Sequence, residues 1–336
     1  MADNNWLDIK GYANSWSFKT ENSEGLLQRI IETLSSEGDV VFDFFVGSGT
    51  TAATAAKMGR PWVAVEMGRH YETVTRPRLE QVLFGDQSGI SKEIGWKGGG
   101  AFKYIALESY EDCLENLRLT KDVDVTGSGS NFAREFRLRY SLDVETRGSQ
   151  SLLNIDGFSD PTSYKLQVRR PGTDEYVTKR VDLVETFSYI IGLRVEHIAG
   201  PQTFGASFKR IEDPDLPDDQ DTKLVVDGRI QQDKDGPWWF RKVEGWVPAN
   251  PADPNNGQRE KVLIVWRKLT DDLEKDNLML DEWFKANRIS TRDFEFDTIY
   301  VNGSNNLPNL RQEGDIWKVR LIEEDFHRLM WDIEDV

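Results

Sequence analysis

Two kinds of apolar pattern occupy the first 85 residues of the chain. The segment 23–35 repeats apolar positions at the spacing of a helix, whose inward face would consist of Leu26, Leu27, Ile30, Ile31 and Leu34. Ser23 stands at the N-cap position of this helix, and Gly38 stands where it would close. Two continuous apolar runs follow, 40–44 and 62–66, and both are typical of strands buried on both faces of a parallel sheet.

An alanine-rich stretch, 51–58, lies between the two runs and predicts a short helix that ends before Pro61. A further helix, interrupted by Pro77, reaches about Leu83. Parallel strands need crossover helices, so this alternation of helices and strands predicts an α/β fold. We therefore expect a partial Rossmann-like sheet over residues 1–85.

The rest of the chain separates into two parts by composition. Residues 86–175 begin with a glycine-rich linker and continue as a mixed subdomain, with a helix over 107–117 and strands within 132–142 and 165–169. Residues 176–336 return to an α/β pattern. Its predicted helices cover 181–193, 271–287 and 323–333, and its predicted strands cover 194–198, 262–266 and 298–301.

Composition narrows the classes of function. The 336 residues include 42 Lys and Arg against 58 Asp and Glu, a formal net charge of −16, so bulk positive charge cannot be what holds a nucleic acid. The single cysteine, Cys113, excludes a disulfide framework and a cysteine-built zinc site, and the three histidines lie far apart, so no metal site is predicted. The sequence has neither an apolar signal core nor a membrane-spanning run, which favours a cytoplasmic protein with no membrane partner.

A glycine motif after the first apolar run is the strongest candidate for a ligand site. Gly47 and Gly49 stand between a strand and a helix start, where glycine permits a tight turn and a ligand can approach the free N–H groups of the helix. Glu66 ends the next strand, 17 residues after Gly49, close to the spacing of an acid that binds ribose hydroxyls. His70, four residues further on, is interpreted as a surface residue of a helix.

Three ligand classes compete for this loop. A P-loop nucleotide site needs Gly-Lys-Ser/Thr, and the first lysine after the glycines is Lys57, so this class is rejected. The pattern Gly47-x-Gly49-x-x-Ala52 fits the loose fingerprint of a nicotinamide dinucleotide site, but Asp43 would repel a pyrophosphate, and two strands cannot form a six-stranded sheet. S-adenosylmethionine has no phosphates and ends in an ammonium group that suits Asp43, so we favour this cofactor.

The motifs of the chain resemble those of a known enzyme family. Asp43-Phe-Phe-Val-Gly-Ser-Gly-Thr-Thr51 resembles the cofactor motif of amino-methylating DNA methyltransferases, and 18–31 resembles the motif that precedes it in the group with permuted motif order. Further segments are similar to the modification subunit of type III restriction–modification systems, among them 65–68, 75–79, 98–104, 107–112, 181–187, 300–303 and 307–309. The resemblance covers most of the chain, with little from 120–175 and 205–260.

The resemblance implies a set of cofactor-binding residues. Asp43 would face the amino group of S-adenosylmethionine and Glu66 its ribose, while Phe18 and Thr20 would lie against the methionine moiety. The full set consists of Phe18, Thr20, Asp43, Phe45, Gly47, Ser48, Gly49, Thr50, Thr51 and Glu66. No catalytic residue and no metal ligand is predicted.

The motif that holds the target base is missing from the sequence. To methylate an adenine amine, the family takes the base out of the duplex and orients its amine with an acid or Asn, two prolines and an aromatic residue in a row. None of the 12 prolines is adjacent to another. In the permuted order this motif precedes the cofactor motif, so we expect the chain to be the C-terminal part of a modification subunit and to transfer no methyl group alone.

The expected function is that of a site-specific DNA adenine-N6 methyltransferase of a type III restriction–modification system. Its partners would be double-stranded DNA in the complete enzyme, the N-terminal catalytic and target-recognition half, the restriction subunit and, as one option, a second copy in a homodimer. The C-terminal α/β domain, 176–336, would serve subunit association. Two alternatives stay open, a non-catalytic cofactor-binding scaffold subunit of a restriction complex and an NAD-dependent oxidoreductase.

Overall fold

A computed structural model describes residues 6–107, 154–169, 175–213, 222–250, 252–254, 256–311 and 317–331. The chain divides into two compact units, one made of 1–108 with 169–176 and the other of 109–168 with 177–336. The predicted strand within 132–142, and all but the first residue of the predicted helix over 107–117, lie outside the described residues. The boundaries that composition suggested at 85 and 175 stay a prediction.

The first unit follows the predicted order of helices and strands. Its elements are α1 (Glu24–Leu34), β1 (Val41–Asp43), α2 (Thr50–Lys57), β2 (Trp62–Ala64), α3 (Arg76–Leu83) and α4 (Ser91–Ile94). The two strands pair in parallel, with Val41 opposite Trp62 and Asp43 opposite Ala64. The mixed α/β class predicted from the sequence is confirmed, while the Rossmann-like arrangement of a larger sheet stays a prediction.

Helix α1 begins as predicted and ends earlier than predicted. The Ser23 hydroxyl accepts the N–H of Leu26, which satisfies one of the free donors at the helix start. The helix ends at Leu34 with Ser35 as its C-cap, so Gly38 lies in the following turn and does not close the helix. Leu34 is 80% exposed, and the buried apolar face is therefore shorter than the sequence pattern suggests.

Among the described residues, the parallel strands are covered on one face, whereas the sequence pattern predicts two buried faces. On the covered face, Trp62 and Ala64 pack against a cluster from α2, α3 and the glycine loop, made of Val46, Ala52, Ala53, Leu79 and Val82. On the other face Phe42 is 60% exposed and Val63 is 51% exposed. The apolar pattern is suited to two covered faces, but in the described part of the chain no element lies on the second.

One turn of π-helix, Tyr71–Thr75, leads directly into α3. The N–H of Arg76 bonds to the Tyr71 carbonyl five residues back, which widens the turn. Pro77 lies in the first turn of α3, directly after the π-helical turn. The interruption predicted at Pro77 is therefore a change of helix type.

The glycine-rich segment predicted as a linker packs against the first unit. The Trp96 indole donates to the Val82 carbonyl at 2.8 Å, and the ring of Phe102 lies 5.8 Å from that of Trp62. A Cβ on Gly98 would lie 2.7 Å from the backbone nitrogen of Gly85. These glycines therefore allow two backbone segments to approach closely. Composition alone does not distinguish glycines that permit close packing from glycines of a flexible linker.

The remaining elements begin at residue 165. The strands are β3 (Lys165–Arg169), β4 (Tyr176–Arg180), β5 (Arg194–Ile198), β6 (Gln202–Gly205), β7 (Phe208–Glu212), β8 (Thr222–Val226), β9 (Gln231–Gln232), β10 (Trp238–Pro248), β11 (Arg259–Arg267), β12 (Thr298–Val301) and β13 (Val319–Leu321). The helices are α5 (Leu183–Ile190), α6 (Leu273–Ala286) and α7 (Ile322–Trp331). Among the described residues, seven strands form one mixed sheet in the order β13, β12, β11, β10, β6, β9, with β5 also paired to β10.

The core of the second unit follows from the alternation of side chains along β11. Val262, Ile264 and Trp266 face a cluster that includes residues of α5 and α7. Leu263 and Val265 face a second cluster built with α6. A sheet with helices on both faces results, and the α/β pattern predicted for this part of the chain is confirmed. No helix in the described ranges is both long enough and apolar enough to cross a lipid bilayer.

Candidate functional site

The glycine loop connects the end of β1 to the start of α2. Gly47 has φ 54° and Gly49 has φ 86°, in the left-handed region where other residues are strained. The N–H of Gly49 bonds to the Val46 carbonyl at 2.8 Å, and the Gly49 carbonyl accepts the N–H of Ala53 to start the helix. Both glycines are therefore required by the backbone of the turn.

The acid at the end of β2 reaches the glycine loop. Glu66 accepts the N–H of Gly47 at 2.9 Å through Oε2 and the N–H of Gly68 at 2.8 Å through Oε1. Partial burial alone would raise the pKa of Glu66, but the two backbone N–H groups, with the imidazole of His70 nearby, outweigh it and lower that pKa. Glu66 is thus held as a carboxylate beside the loop.

His70 belongs to this site, although its sequence context suggested a surface residue. Its Nε2 lies 3.1 Å from Oε2 of Glu66, without the alignment of a hydrogen bond. Its ring lies 5.0 Å from the ring of Phe18, and a Cβ on Gly47 would lie 3.4 Å from the Phe18 ring. Phe18, His70 and Glu66 therefore form one wall beside Gly47.

Thr75 fixes the loop from the side of α3. Its hydroxyl donates to the Gly47 carbonyl at 2.5 Å, and a Cβ on Gly49 would lie 3.1 Å from its methyl group. The π-helical turn Tyr71–Thr75 ends at this residue. Single-turn π-bulges occur frequently at functional sites, in keeping with this contact.

A buried arginine donates hydrogen bonds to the glycine loop and to the start of α2. Arg78 is 2% exposed and donates to the Thr50 hydroxyl at 3.0 Å and to the Ser48 carbonyl at 3.4 Å. The same guanidinium pairs with Glu21 at 3.2 Å and with Glu24 at 3.0 Å. The position of the loop is therefore coupled to residues of α1 and of the segment before it.

Lys57 completes this network of buried charges. Its ammonium lies 2.8 Å from the Glu24 carboxylate and donates to the Ser88 carbonyl at 3.0 Å. The side chain of Lys57 is fully buried and that of Glu24 is 5% exposed, so each charge depends on its partner. These pairs are not predicted from the sequence, because helical periodicity does not show which residues of different elements meet.

The other predicted site residues differ in exposure. Asp43 is half-buried, and its Oδ1 accepts the N–H of Phe45 at 3.0 Å in a local turn. Phe45 is 82% exposed and Thr20 is exposed. Buried beneath the loop, the hydroxyls of Ser48 and Thr50 lie 3.1 Å apart, and Thr51 is half-buried in the first turn of α2.

The arrangement presents two carboxylates and a glycine loop at one end of a parallel sheet. Asp43 pairs with Ala64, two residues before Glu66, so both acids lie at the carboxyl ends of paired strands, where open α/β sheets bind ligands. Glu66 suits the hydroxyls of a ribose, and Asp43 suits a cationic amine. Across the described ranges, no group of three or more His, Cys, Asp or Glu side chains could hold a metal ion.

The segment 300–303, which the sequence resemblance singled out, forms a structural cluster in the second unit. Asn302 is fully buried, donates to the carbonyls of Phe158 and Arg267, and accepts the N–H of Arg267. Burial lowers the pKa of Arg267 to about 10. The Tyr300 hydroxyl donates to Asp325 at 2.7 Å, and burial with this carboxylate raises the pKa of Tyr300. These contacts stabilise the fold.

Comparison with known proteins relates the chain to DNA methylases. Residues 3–76 match the model of a family described as DNA methylase. The chain is 37% identical over 124 residues to the probable type III restriction-modification enzyme HindVI Mod subunit of Haemophilus influenzae, which is 36% of this chain and 17% of that protein. It is 42% identical over 67 residues to the type II methyltransferase M2.DpnII of Streptococcus pneumoniae, 19% of this chain and 25% of that protein.

A third relative is the type II methyltransferase M.HinfI of Haemophilus influenzae, 35% identical over 74 residues, 22% of this chain and 21% of that protein. In each of these three comparisons the match spans a quarter or less of the relative's length. No solved structure matches the chain. The family match covers α1 to β2 with the glycine loop, so the resemblance to DNA methylases and to a type III Mod subunit is confirmed, while its extension over most of the chain stays a prediction.

Proposed function

We propose that the first unit binds S-adenosylmethionine at the carboxyl ends of β1 and β2. The hydrogen bond between Glu66 and Gly47, 2.9 Å long, is the observation on which this proposal rests. It joins the acid after one strand to the glycine loop after the other, so a nucleoside lying across both strands would meet the acid and the loop together. Glu66 would bind the ribose, and Asp43 the ammonium group of the methionine moiety.

The residues present fit this cofactor. A Cβ on Gly47 would touch Phe18, and a Cβ on Gly49 would crowd Thr75, so both glycines allow these side chains to pack closely against the loop. Phe18 places an apolar ring beside the loop. An apolar ring suits S-adenosylmethionine at this position because the cofactor carries no phosphate groups. S-adenosylmethionine supplies a methyl group on a sulfonium centre, and the role of this chain is to bind and orient it.

The methyl acceptor we propose is the N6 amine of adenine in double-stranded DNA, within a type III restriction–modification system. Support comes from the family match of residues 3–76 and from the similarity to a Mod subunit. None of the 12 prolines has a proline neighbour, so the base-holding motif of the family is not in this sequence. The chain therefore acts as the cofactor-binding part and transfers no methyl group alone; the second unit serves association with other subunits, including the restriction subunit.

Calorimetric titration of the purified chain tests the cofactor. S-adenosylmethionine and its demethylated product should each bind at one site per chain, and NADH should not bind. A folded chain that binds neither nucleoside would favour a scaffold subunit that keeps the fold without binding the cofactor, and binding of NADH in their place would favour an oxidoreductase.

A second assay tests whether the chain can transfer the methyl group to DNA by itself. The chain is incubated with S-adenosylmethionine labelled in the methyl group and with adenine-containing duplex DNA. We expect no label in the DNA. Methylated DNA produced by the chain alone would show that it holds its own acceptor site.

A further inference from the structure

One ring nitrogen of His70 has no hydrogen bond inside the candidate cofactor site. This atom, Nε2, is buried, has no hydrogen-bond partner and lies 3.1 Å from Oε2 of Glu66. Buried polar atoms in folded proteins are nearly always hydrogen-bonded, so an atom of this kind requires an explanation. In the proposed function Glu66 binds the ribose, and His70 takes no part.

Glycine at position 68 allows the imidazole to lie beside the carboxylate. A Cβ on Gly68 would be 2.4 Å from Cε1 and 2.6 Å from Nδ1 of His70, and 3.1 Å from Oε1 of Glu66. Gly68 does not have a positive φ, so it is the space taken by the ring and the carboxylate that disfavours a larger residue. On its other side the ring packs on Phe18, with the ring centroids 5.0 Å apart. His70 is therefore held against Glu66 from both sides.

The carboxylate of Glu66 has few acceptor positions left. An ionised carboxylate has about four. The N–H of Gly47 takes one position on Oε2, and the N–H of Gly68 takes one on Oε1. One position remains on each oxygen, and the two hydroxyls of a ribose would need both. A further donor at Oε2 would therefore compete with the ligand.

A proton on Nε2 of His70 would create that donor. Histidine is the residue type that gains and loses a proton between about pH 5 and pH 8, and both ring nitrogens donate when it is charged. Because Nε2 is buried, Oε2 of Glu66 is the acceptor within its reach, and the two atoms already lie at ion-pair distance. An ion pair between the imidazolium and the carboxylate is then a charge-assisted hydrogen bond, stronger than a neutral one.

The other charged groups near His70 point elsewhere. Lys19, in the segment that carries the ring packed on His70, is exposed, and so is Arg69, its neighbour in the chain. Glu72, on the same turn, pairs with Arg76 at 3.3 Å. The glycine loop contributes no charged side chain. In the described part of the chain, Glu66 is therefore the acid at ion-pair distance from His70.

We propose that His70 is a positioning residue that makes cofactor affinity depend on pH. Neutral His70 leaves the second acceptor position of Oε2 to a ribose hydroxyl. Protonated His70 takes that position through its ion pair with Glu66, and the cofactor binds less tightly. The pairing of His70 with Glu66 rests on the observed geometry, whereas its effect on a ribose rests on the proposed function.

Calorimetric titration of the full chain with S-adenosylhomocysteine, the demethylated product, tests the proposal. The affinity of the unchanged chain should fall by roughly tenfold from about pH 7.5 to about pH 5.5, as expected when one proton competes with the ligand. His70→Gln removes the titrating group, and Gly68→Ala keeps the histidine but displaces its ring, so both should lose most of this dependence. His197→Gln is the matched control, because His197 is an exposed histidine of the second unit, and it should keep the dependence.

Nuclear magnetic resonance of labelled histidine rings measures the same coupling from the side of the proton. The chain has three histidines, so His197 and His327 serve as internal references. Saturating S-adenosylhomocysteine should move the midpoint of His70 protonation to lower pH, because a ligand that protonation weakens must disfavour the proton by the same factor. Without ligand, Glu66→Gln should move this midpoint in the same direction, because the partner of the ion pair is lost.

The outcomes separate the role of His70 from the proposed function. If affinity falls in acid equally in the unchanged chain and in His70→Gln, or if Glu66→Gln leaves the His70 midpoint in place, the role of His70 is overturned and the cofactor site stands. A folded chain that binds no S-adenosylhomocysteine at any pH would overturn the proposed function, and the pH dependence of affinity with it.

Discussion

The carboxylate of Glu66 accepts the backbone N–H of Gly47 at 2.9 Å, across the two parallel strands of the first unit. Its other oxygen accepts the N–H of Gly68 at 2.8 Å. An ionised carboxylate has about four acceptor positions. Two are therefore left, which under the proposed function would accept the two hydroxyls of a ribose, and the backbone of Gly47 and Gly68 already orients the carboxylate.

Replacement of Gly49 by alanine should lower cofactor affinity. At φ 86° an alanine costs about 1–2 kcal/mol, and its Cβ would displace Thr75, which holds the Gly47 carbonyl. We expect calorimetry to show roughly tenfold weaker binding of S-adenosylmethionine. Gly59→Ala is the control: φ is 69° there and nothing lies within 4 Å of the new Cβ. Gly59→Ala should lose a similar amount of stability and keep the S-adenosylmethionine affinity of the unchanged chain. Equal affinities of Gly49→Ala and Gly59→Ala would contradict the role of the loop.

The buried charge network should respond strongly to loss of Arg78. Arg78→Met leaves Glu21 and Glu24 without one of their charged partners, and breaking a buried pair costs about 3–5 kcal/mol. Arg76→Met serves as the control, because Arg76 is 43% exposed in its ion pairs and should cost at most about 1 kcal/mol. Urea unfolding of the first unit measures both, and similar losses would show that the network adds little to stability.

The stabilising effect of Glu66 should depend on pH. Its pKa is lower in the folded protein than the ordinary 4.5, so its ionisation stabilises the fold above that value. This contribution is lost as pH falls through the lower folded pKa. The difference in unfolding free energy between the unchanged chain and Glu66→Gln should therefore be largest near neutral pH and shrink under acid conditions. Glu37→Gln, at an exposed site, should have little effect; a Glu66→Gln difference that grows in acid would refute the assignment.

Asn302 should be essential to the second unit. Asn302→Asp removes the amide donor that serves the carbonyls of Phe158 and Arg267, leaving buried acceptors unsatisfied at about 1–3 kcal/mol each. Asn306→Asp makes the same chemical change at an exposed position and should be close to neutral. Thermal unfolding compares them, and equal melting temperatures would show that the segment 300–303 does not have the structural role described.

The sequence predicts those residues of the candidate site whose signal lies within one short segment of the chain. The sequence predicts Gly47, Gly49 and Glu66 because a tight turn after a strand favours glycine and because Glu66 follows Gly49 by 17 residues, close to the expected spacing. Arg78 and Lys57 were missed, because their partners lie on other elements and only the packing of helices brings them together.

The uncovered face of β1 and β2, on which Phe42 and Val63 are exposed, shows the same limit of sequence-based prediction. The apolar run around Phe42 predicts a strand covered on both faces, because its side chains on both faces are apolar. The pattern does not show whether the described part of the chain supplies the covering element. His70 was placed on the surface for a related reason: its contact with Glu66 depends on how the chain turns after β2.

Nuclear magnetic resonance of the chain labelled with ¹⁵N-glycine tests the cofactor site most directly. Titration with S-adenosylhomocysteine should shift the amide signals of Gly47, Gly49 and Gly68, assigned by substitution, while the glycines of the second unit keep theirs. Shifts confined to the second unit, or a saturating titration that leaves Gly47 and Gly49 unmoved, would contradict a cofactor site at the glycine loop.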